Sequence, residues 1–200
     1  MTTTDAIIQQ SLSNSFTYAG YRQHVTTLLE QGLSTGATQS EALTHYTTLN
    51  EARMNRLDKT IHLPDEILDK LQHLDKTYTF LVITEGWCGD AAQIVPVINK
   101  MVNASDKIEM KLVLRDDNPE LMDAYLTNGA RSIPKLVVLD AETQTPVASW
   151  GPRPEGGTNL IKEAKERDGV VTDETKTDLQ KWYLHDKGLS TMSEIIEKLN

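Results

Sequence analysis

The apolar run Thr79-Phe80-Leu81-Val82-Ile83-Thr84 leads directly into Glu85-Gly86-Trp87-Cys88-Gly89-Asp90-Ala91, and the stretch from Ala91 to Met101 then carries apolar residues at helical spacing. A short run this apolar, rich in β-branched and aromatic types, reads as a buried strand. Gly86 offers a turn, and a helix follows. A buried strand running straight into a helix is half of a βαβ unit, so this junction commits the chain to an α/β layered fold. Cys88, the only cysteine in the chain, falls at the start of the helix, where unpaired backbone N–H groups favour thiolate over thiol.

Alternation continues downstream. Ile108, Met110, Leu112 and Leu114 interleave with Glu109, Lys111 and Val113 as a second strand. Asn118-Pro119-Glu120 opens a short helix with Asn118 as its N-cap and Asn128-Gly129 as its stop. Lys135 to Leu139 and Val147 to Trp150 read as two further strands joined by the turn residues of 140–146, and a helix from about Thr158 to Arg167 closes the unit. Gly151-Pro152-Arg153-Pro154-Glu155-Gly156-Gly157 is the most loop-like stretch. Beyond it, Thr172-Asp173-Glu174 starts a helix that Gly188 ends, and Thr191-x-x-Glu194 has the form of a capping box for a final helix. Residues 1–75 read as helical: Phe16, Tyr18, Tyr21, Val25, Leu28 and Leu29 form one stripe, Ser40 caps a second helix to about Leu57, and Pro64-Asp65-Glu66 opens a third. These helices are too thin to hold a core, so the expected organisation is a helical extension, 1–75, packed on a domain of 76–200, with its core at 76–168 and helices at 169–200.

The segment around Cys88 resembles the active-site segment of the thioredoxin family, in which a strand leads into Trp-Cys-Gly-Pro-Cys at a helix start. Pro96, eight residues past the cysteine, matches the proline of the same helix in that family, and Arg131-Ser132-Ile133-Pro134 resembles its Ile-Pro loop, whose proline is cis and faces the active-site sulfur. More narrowly, Trp-Cys-Gly-Asp-Ala-Ala-Gln is similar to a bacterial thioredoxin-like subgroup. The resemblance covers roughly residues 76–168 and implies an α/β thioredoxin-like fold, a mixed four-stranded sheet flanked by helices. Three departures stand beside it. Ala91 occupies the place of the resolving cysteine and Asp90 that of the proline, and Val82 stands where the family carries a buried acid. A dithiol cycle, in which a second thiol resolves the mixed disulfide, is therefore closed to this chain alone.

The overall numbers narrow the partners. A net charge of −9 argues against nonspecific nucleic-acid binding, which needs a basic face. The longest apolar runs fall well short of the ~20 residues of a membrane span, and Met1-Thr2-Thr3-Thr4-Asp5 lacks the basic start of a signal peptide. One unpaired cysteine suits a reducing compartment, so a cytoplasmic location is expected. The five histidines show no metal-ligand spacing with one another or with Cys88, and Arg115-Asp116-Asp117-Asn118 is more simply a solvated strand end than a metal site.

Two functions follow from these residues. In the first, Cys88 is an accessible catalytic thiol of monothiol type that attacks a protein or low-molecular-weight disulfide, while Trp87, Gly89, Asp90, Ile133 and Pro134 bind substrate. No cofactor is implied, but glutathione or another low-molecular-weight thiol would serve as co-substrate and resolve the mixed disulfide. In the second, the groove between Trp87, Asp90 and Pro134 holds a peptide or protein partner without turnover. In both, Asp90 places a negative charge near the sulfur and opposes ionisation, which makes Cys88 less acidic than an ordinary thioredoxin nucleophile. Restoring the second cysteine with Ala91→Cys is expected, on sequence alone, to restore disulfide reduction.

Overall fold

In chain order the computed structural model, which describes residues 3–199, runs α1 (Thr3–Ser13), α2 (Tyr18–Glu30), α3 (Glu41–Thr60), α4 (Asp65–Gln72), β1 (Tyr78–Thr84), α5 (Gly89–Val102), β2 (Ile108–Leu114), α6 (Pro119–Ala124), β3 (Lys135–Asp140), β4 (Pro146–Trp150), α7 (Glu155–Asp168), α8 (Asp173–Asp186) and α9 (Leu189–Ile196). The four strands form one sheet in the order β2-β1-β3-β4. β1 and β2 are parallel, and the other pairings are antiparallel. The α/β sandwich expected from the strand-turn-helix junction is the fold observed.

Burial explains why β1 is central. All seven of its residues are buried, which requires cover on both faces and accounts for its unbroken apolar run. β4 is the opposite case, with a mostly exposed face and only Trp150 fully buried. The outer edge of β2 is partly covered: Phe16 exchanges both backbone hydrogen bonds with Leu112, at 2.8 and 2.9 Å. Phe16 thus belongs to an edge pairing and not to the helical stripe in which its spacing places it. α2 begins after it, with Thr17 as a cap that accepts from Gly20 N at 3.1 Å.

Several helix ends differ from the sequence reading, each for a tertiary reason. Asn118 does not cap α6; its side chain turns back and donates to the Leu114 carbonyl at 2.9 Å, and the helix stops at Ala124, before Asn128-Gly129. The loop-like Gly151–Gly157 is loop only in part, because α7 starts at Glu155 and takes both glycines into its first turn. There they admit the Trp182 ring of α8: a Cβ on Gly156 would stand 2.7 Å from Trp182 Cζ2. Thr191-x-x-Glu194 is not a capping box. Thr191 is buried inside α9, and Glu194 accepts from the Glu155 backbone N–H and from Trp150 Nε1, both at 2.8 Å, so it caps α7 from a distance. Thr172 and Ser40 do cap α8 and α3 as read. Among the described residues, no helix is long and apolar enough to cross a membrane.

Candidate functional site

The loop between β1 and α5 is held from the N-terminal helices. Asn50, buried on α3, donates to the Gly86 carbonyl at 2.9 Å, and Gly86 N donates to Thr35 Oγ1 at 2.8 Å. Gly86 is wanted for closeness and not for an unusual backbone angle: a Cβ there would lie 3.3 Å from Thr47 Cγ2 and 3.4 Å from the side chains of Thr35 and Val25. Cys88 N closes the turn by donating to the Glu85 carbonyl at 3.2 Å. A side chain there would push these neighbours back by a few tenths of an ångström.

Cys88 is the N-cap of α5, its sulfur accepting from Ala91 N at 3.5 Å, and the thiol donates to the Ile133 carbonyl at 3.3 Å. The Ile133–Pro134 peptide is cis, as the resemblance implies, and so is Gly151–Pro152. The thiol is not the accessible one expected from sequence: Cys88 is only 8% exposed. Burial, and after it the charge of Asp90, push its pKa up to about 12, against the opposing help of the Ala91 and Asp90 backbone N–H groups and of Arg153. The thiol is therefore held protonated at pH 7. The helix terminus favours thiolate, but desolvation is the larger effect.

Asp90 is buried, and both its oxygens are engaged. Oδ1 accepts from the Tyr183 hydroxyl at 2.8 Å and Oδ2 pairs with Arg153 Nη2 at 2.6 Å. Burial disfavours the Arg153 charge, yet the adjacent carboxylate outweighs it and raises the guanidinium pKa. Beside this cluster Gln93 Nε2 donates to Gln180 Oε1 at 2.7 Å, so α8 lies across the start of α5. Trp87 is half-buried beneath Arg115, whose guanidinium carbon is 4.7 Å from the ring centroid, a cation–π contact that fixes the indole.

A buried acid is present after all, one residue past the strand in place of within it. Glu85 is 0% exposed, accepts from Asp116 N at 3.0 Å through Oε1, and leaves Oε2 without a partner. Burial raises its pKa. Sequence reading passes over it because a glutamate in a Gly-flanked turn looks solvated.

A pocket of about 420 Å³ opens beside the cysteine. Trp87, Cys88, Gly89 and Asp90 line it, together with residues that the sequence did not single out, among them Arg53 of α3 and Leu179 of α8. Ile133 and Pro134 are buried and do not line it. The structure thus brings four of the six expected site residues to one cavity wall and leaves the Ile-Pro pair underneath, with the Ile133 carbonyl occupied by the thiol. Tyr183 and Arg153 could have been suspected only from the burial of Asp90, which no spacing announces. Among the described residues no group of three His, Cys, Asp or Glu is placed to hold a metal.

Comparison with known proteins fits this geometry. A family model described as thioredoxin matches residues 36–165. A crystal structure of a protein of unknown function from Pseudomonas aeruginosa superposes with a TM-score of 0.61 at 16% identity, covering 92% of this chain and 96% of the other. An HIV epitope scaffold superposes with a TM-score of 0.56 at 19% identity, covering 92% and 97%. No curated protein matches this chain.

Proposed function

This chain belongs to the thioredoxin family, and from that premise we propose that it is a binding member of the family, in which the pocket at the active-site position holds a ligand without turnover and Cys88 stays a protonated thiol in the wall. The observation that supports the reading is the state of Cys88: 8% exposed, hydrogen-bonded to the Ile133 carbonyl, and with its pKa pushed up to about 12. Thiol exchange needs the thiolate, and the chain has no second cysteine.

A peptide paired to the backbone beside Pro134, the usual family mode implied by the resemblance, finds that backbone buried. A ligand that sits against Trp87, Gly89 and Leu179 fits the open side of the site instead. One observation favours the monothiol redox reading as a second choice: Cys88 retains its place at the helix start against the Ile-Pro loop.

The test is the rate of Cys88 alkylation by iodoacetamide, followed by intact mass. The binding reading expects labelling at pH 7.5 at least a hundredfold slower in the native protein than after denaturation in urea, and no mixed disulfide on incubation with oxidised glutathione. Rapid native labelling together with a glutathione adduct would move the conclusion to the redox reading.

A further inference from the structure

The charges around the pocket are out of keeping with the chain. The protein carries a net charge of −9, yet the pocket lining sets three cations, Arg53, Arg153 and Lys176, against one carboxylate, Asp90. Arg153 is consumed by Asp90. Lys176 pairs with Asp173, whose side chain is 94% exposed, an association that water and salt readily weaken. Arg53 is different. It is half-buried, its Nη1 donates to the neutral Asn50 amide at 2.7 Å, and among the described residues no carboxylate forms an ion pair with it. Its pKa is lowered by burial and by the neighbouring Arg56, in agreement with a guanidinium that lacks a counter-charge.

The rest of the wall is apolar. Leu43, Tyr46, Trp87, Ile161, Val171 and Leu179 line it. Tyr46 is 43% exposed, a large aromatic whose ring is met by the tilted His45 ring at 6.2 Å between centroids. Arg53 Nη1 is 3.8 Å from where a Cβ on Gly89 would lie, next to Gln180 Nε2 at 3.7 Å, so the cation without a counter-charge stands beside the cysteine loop. A volume of about 420 Å³ suits a small organic molecule, in the range of ~300–1,000 Å³ usual for such sites.

We propose that the pocket beside Cys88 binds a small amphipathic organic anion, its apolar body between Tyr46, Trp87 and Leu179 and its acidic group on Arg53. The proposal rests on the binding reading and gives it a ligand class. A half-buried guanidinium rewards a carboxylate, sulfonate or phosphate through charge-assisted bonds, while the apolar wall supplies most of the contact area.

Anilinonaphthalene sulfonate, an aromatic body with one negative group, is the probe, and phenyl-naphthylamine, the same body without the charge, is its control. Titration of the wild type, followed by probe fluorescence, is expected to give one saturable sulfonate site that weakens several-fold between about 0.02 M and about 0.5 M salt, while the neutral control does not weaken. Arg53→Gln is expected to weaken the sulfonate about tenfold or more and leave the neutral analogue unchanged. Arg53→Lys should retain much of the binding, and Tyr46→Ala should weaken both probes. The proposal is overturned by the absence of saturable sulfonate binding, by equal salt behaviour of the two probes in the wild type, or by a sulfonate affinity that Arg53→Gln does not move. Failure here is separable from failure of the binding reading, because that reading stands or falls on Cys88 labelling: slow labelling with no sulfonate site removes only the ligand class, and fast labelling with an Arg53-dependent site removes only the absence of turnover.

Discussion

The Tyr183 hydroxyl donates to Oδ1 of Asp90 at 2.8 Å across 93 residues of sequence. Through this bond α8, far along the chain, takes part in the site built by the β1–α5 loop. The bond also settles what Asp90 does: with Tyr183 on one oxygen and Arg153 on the other, the carboxylate ties three elements together and has little capacity left for a ligand.

Tyr183→Phe should therefore cost about 1–3 kcal/mol in urea denaturation, the penalty for leaving a buried acceptor short of a donor. The same substitution should loosen α8 and raise the native labelling rate of Cys88. A variant as stable as the wild type would show that the bond contributes nothing net.

Asp90→Asn has two effects of opposite appeal. It strips Arg153 of its counter-charge; breaking a buried pair costs about 3–5 kcal/mol, and the lower end is expected because the Arg153 side chain is 26% exposed. It also removes a charge that, after burial, holds the Cys88 thiol up, so the thiol pKa should fall and labelling at pH 9 should accelerate. Comparison of the two variants by denaturation and by labelling separates the roles.

Cys88 leaves its own mark on pH dependence. Its folded pKa, pushed up to about 12, lies above the usual ~8.5 of an unfolded thiol, so between these values the unfolded chain gives up a proton that the folded one keeps. Stability should then be unaffected by this group below about pH 8.5 and fall by about 1.4 kcal/mol per pH unit above it. Urea titrations of wild type and Cys88→Ala at pH 7, 9 and 10 test this, since other groups cancel in the difference. A constant difference across that range would mean that the buried thiol ionises normally.

Ala91→Cys restores the family's pair of cysteines on one helical turn, and from sequence alone it should restore activity. The burial of Cys88 reverses that expectation: the variant should reduce insulin disulfides no faster than wild type, because the buried attacking sulfur stays unionised. Clear activity in the turbidity assay would put the redox reading first.

Two glycines differ in what substitution costs. Gly156→Ala gains about 1 kcal/mol of helix propensity, yet its Cβ would stand 2.7 Å from Trp182 Cζ2, and the shift forced on the ring costs about 1–3 kcal/mol; a net loss in melting temperature is expected. Gly89→Ala meets nothing nearer than 3.7 Å and should be close to neutral in stability.

The strand at 78–84, the helix after Cys88 and the parallel partner at 108–114 were all legible, because each element carries its own periodicity and its own ends. The family could be recognised for the same reason: Trp87-Cys88-Gly89, Pro96 and Ile133-Pro134 stand in fixed order along the chain. Glu194 shows where such reading stops. Its spacing from Thr191 imitates a local cap, but its carboxylate serves Trp150 and Glu155, 44 and 39 residues away.

What the sequence determined by itself was the sheet, the position of the thiol at a helix start and the absence of a resolving cysteine. Only the tertiary structure decided whether that thiol is acidic, because ionisation depends on solvation, and Cys88 is largely buried with its thiol on the Ile133 carbonyl. It also decided that Asp90 faces Tyr183 and Arg153 and that Arg53 faces the pocket without a counter-ion. Desolvation and charge pairing act through space over a few ångströms, and residues 53, 90, 153 and 183 become neighbours only once the sheet and its helices have been packed.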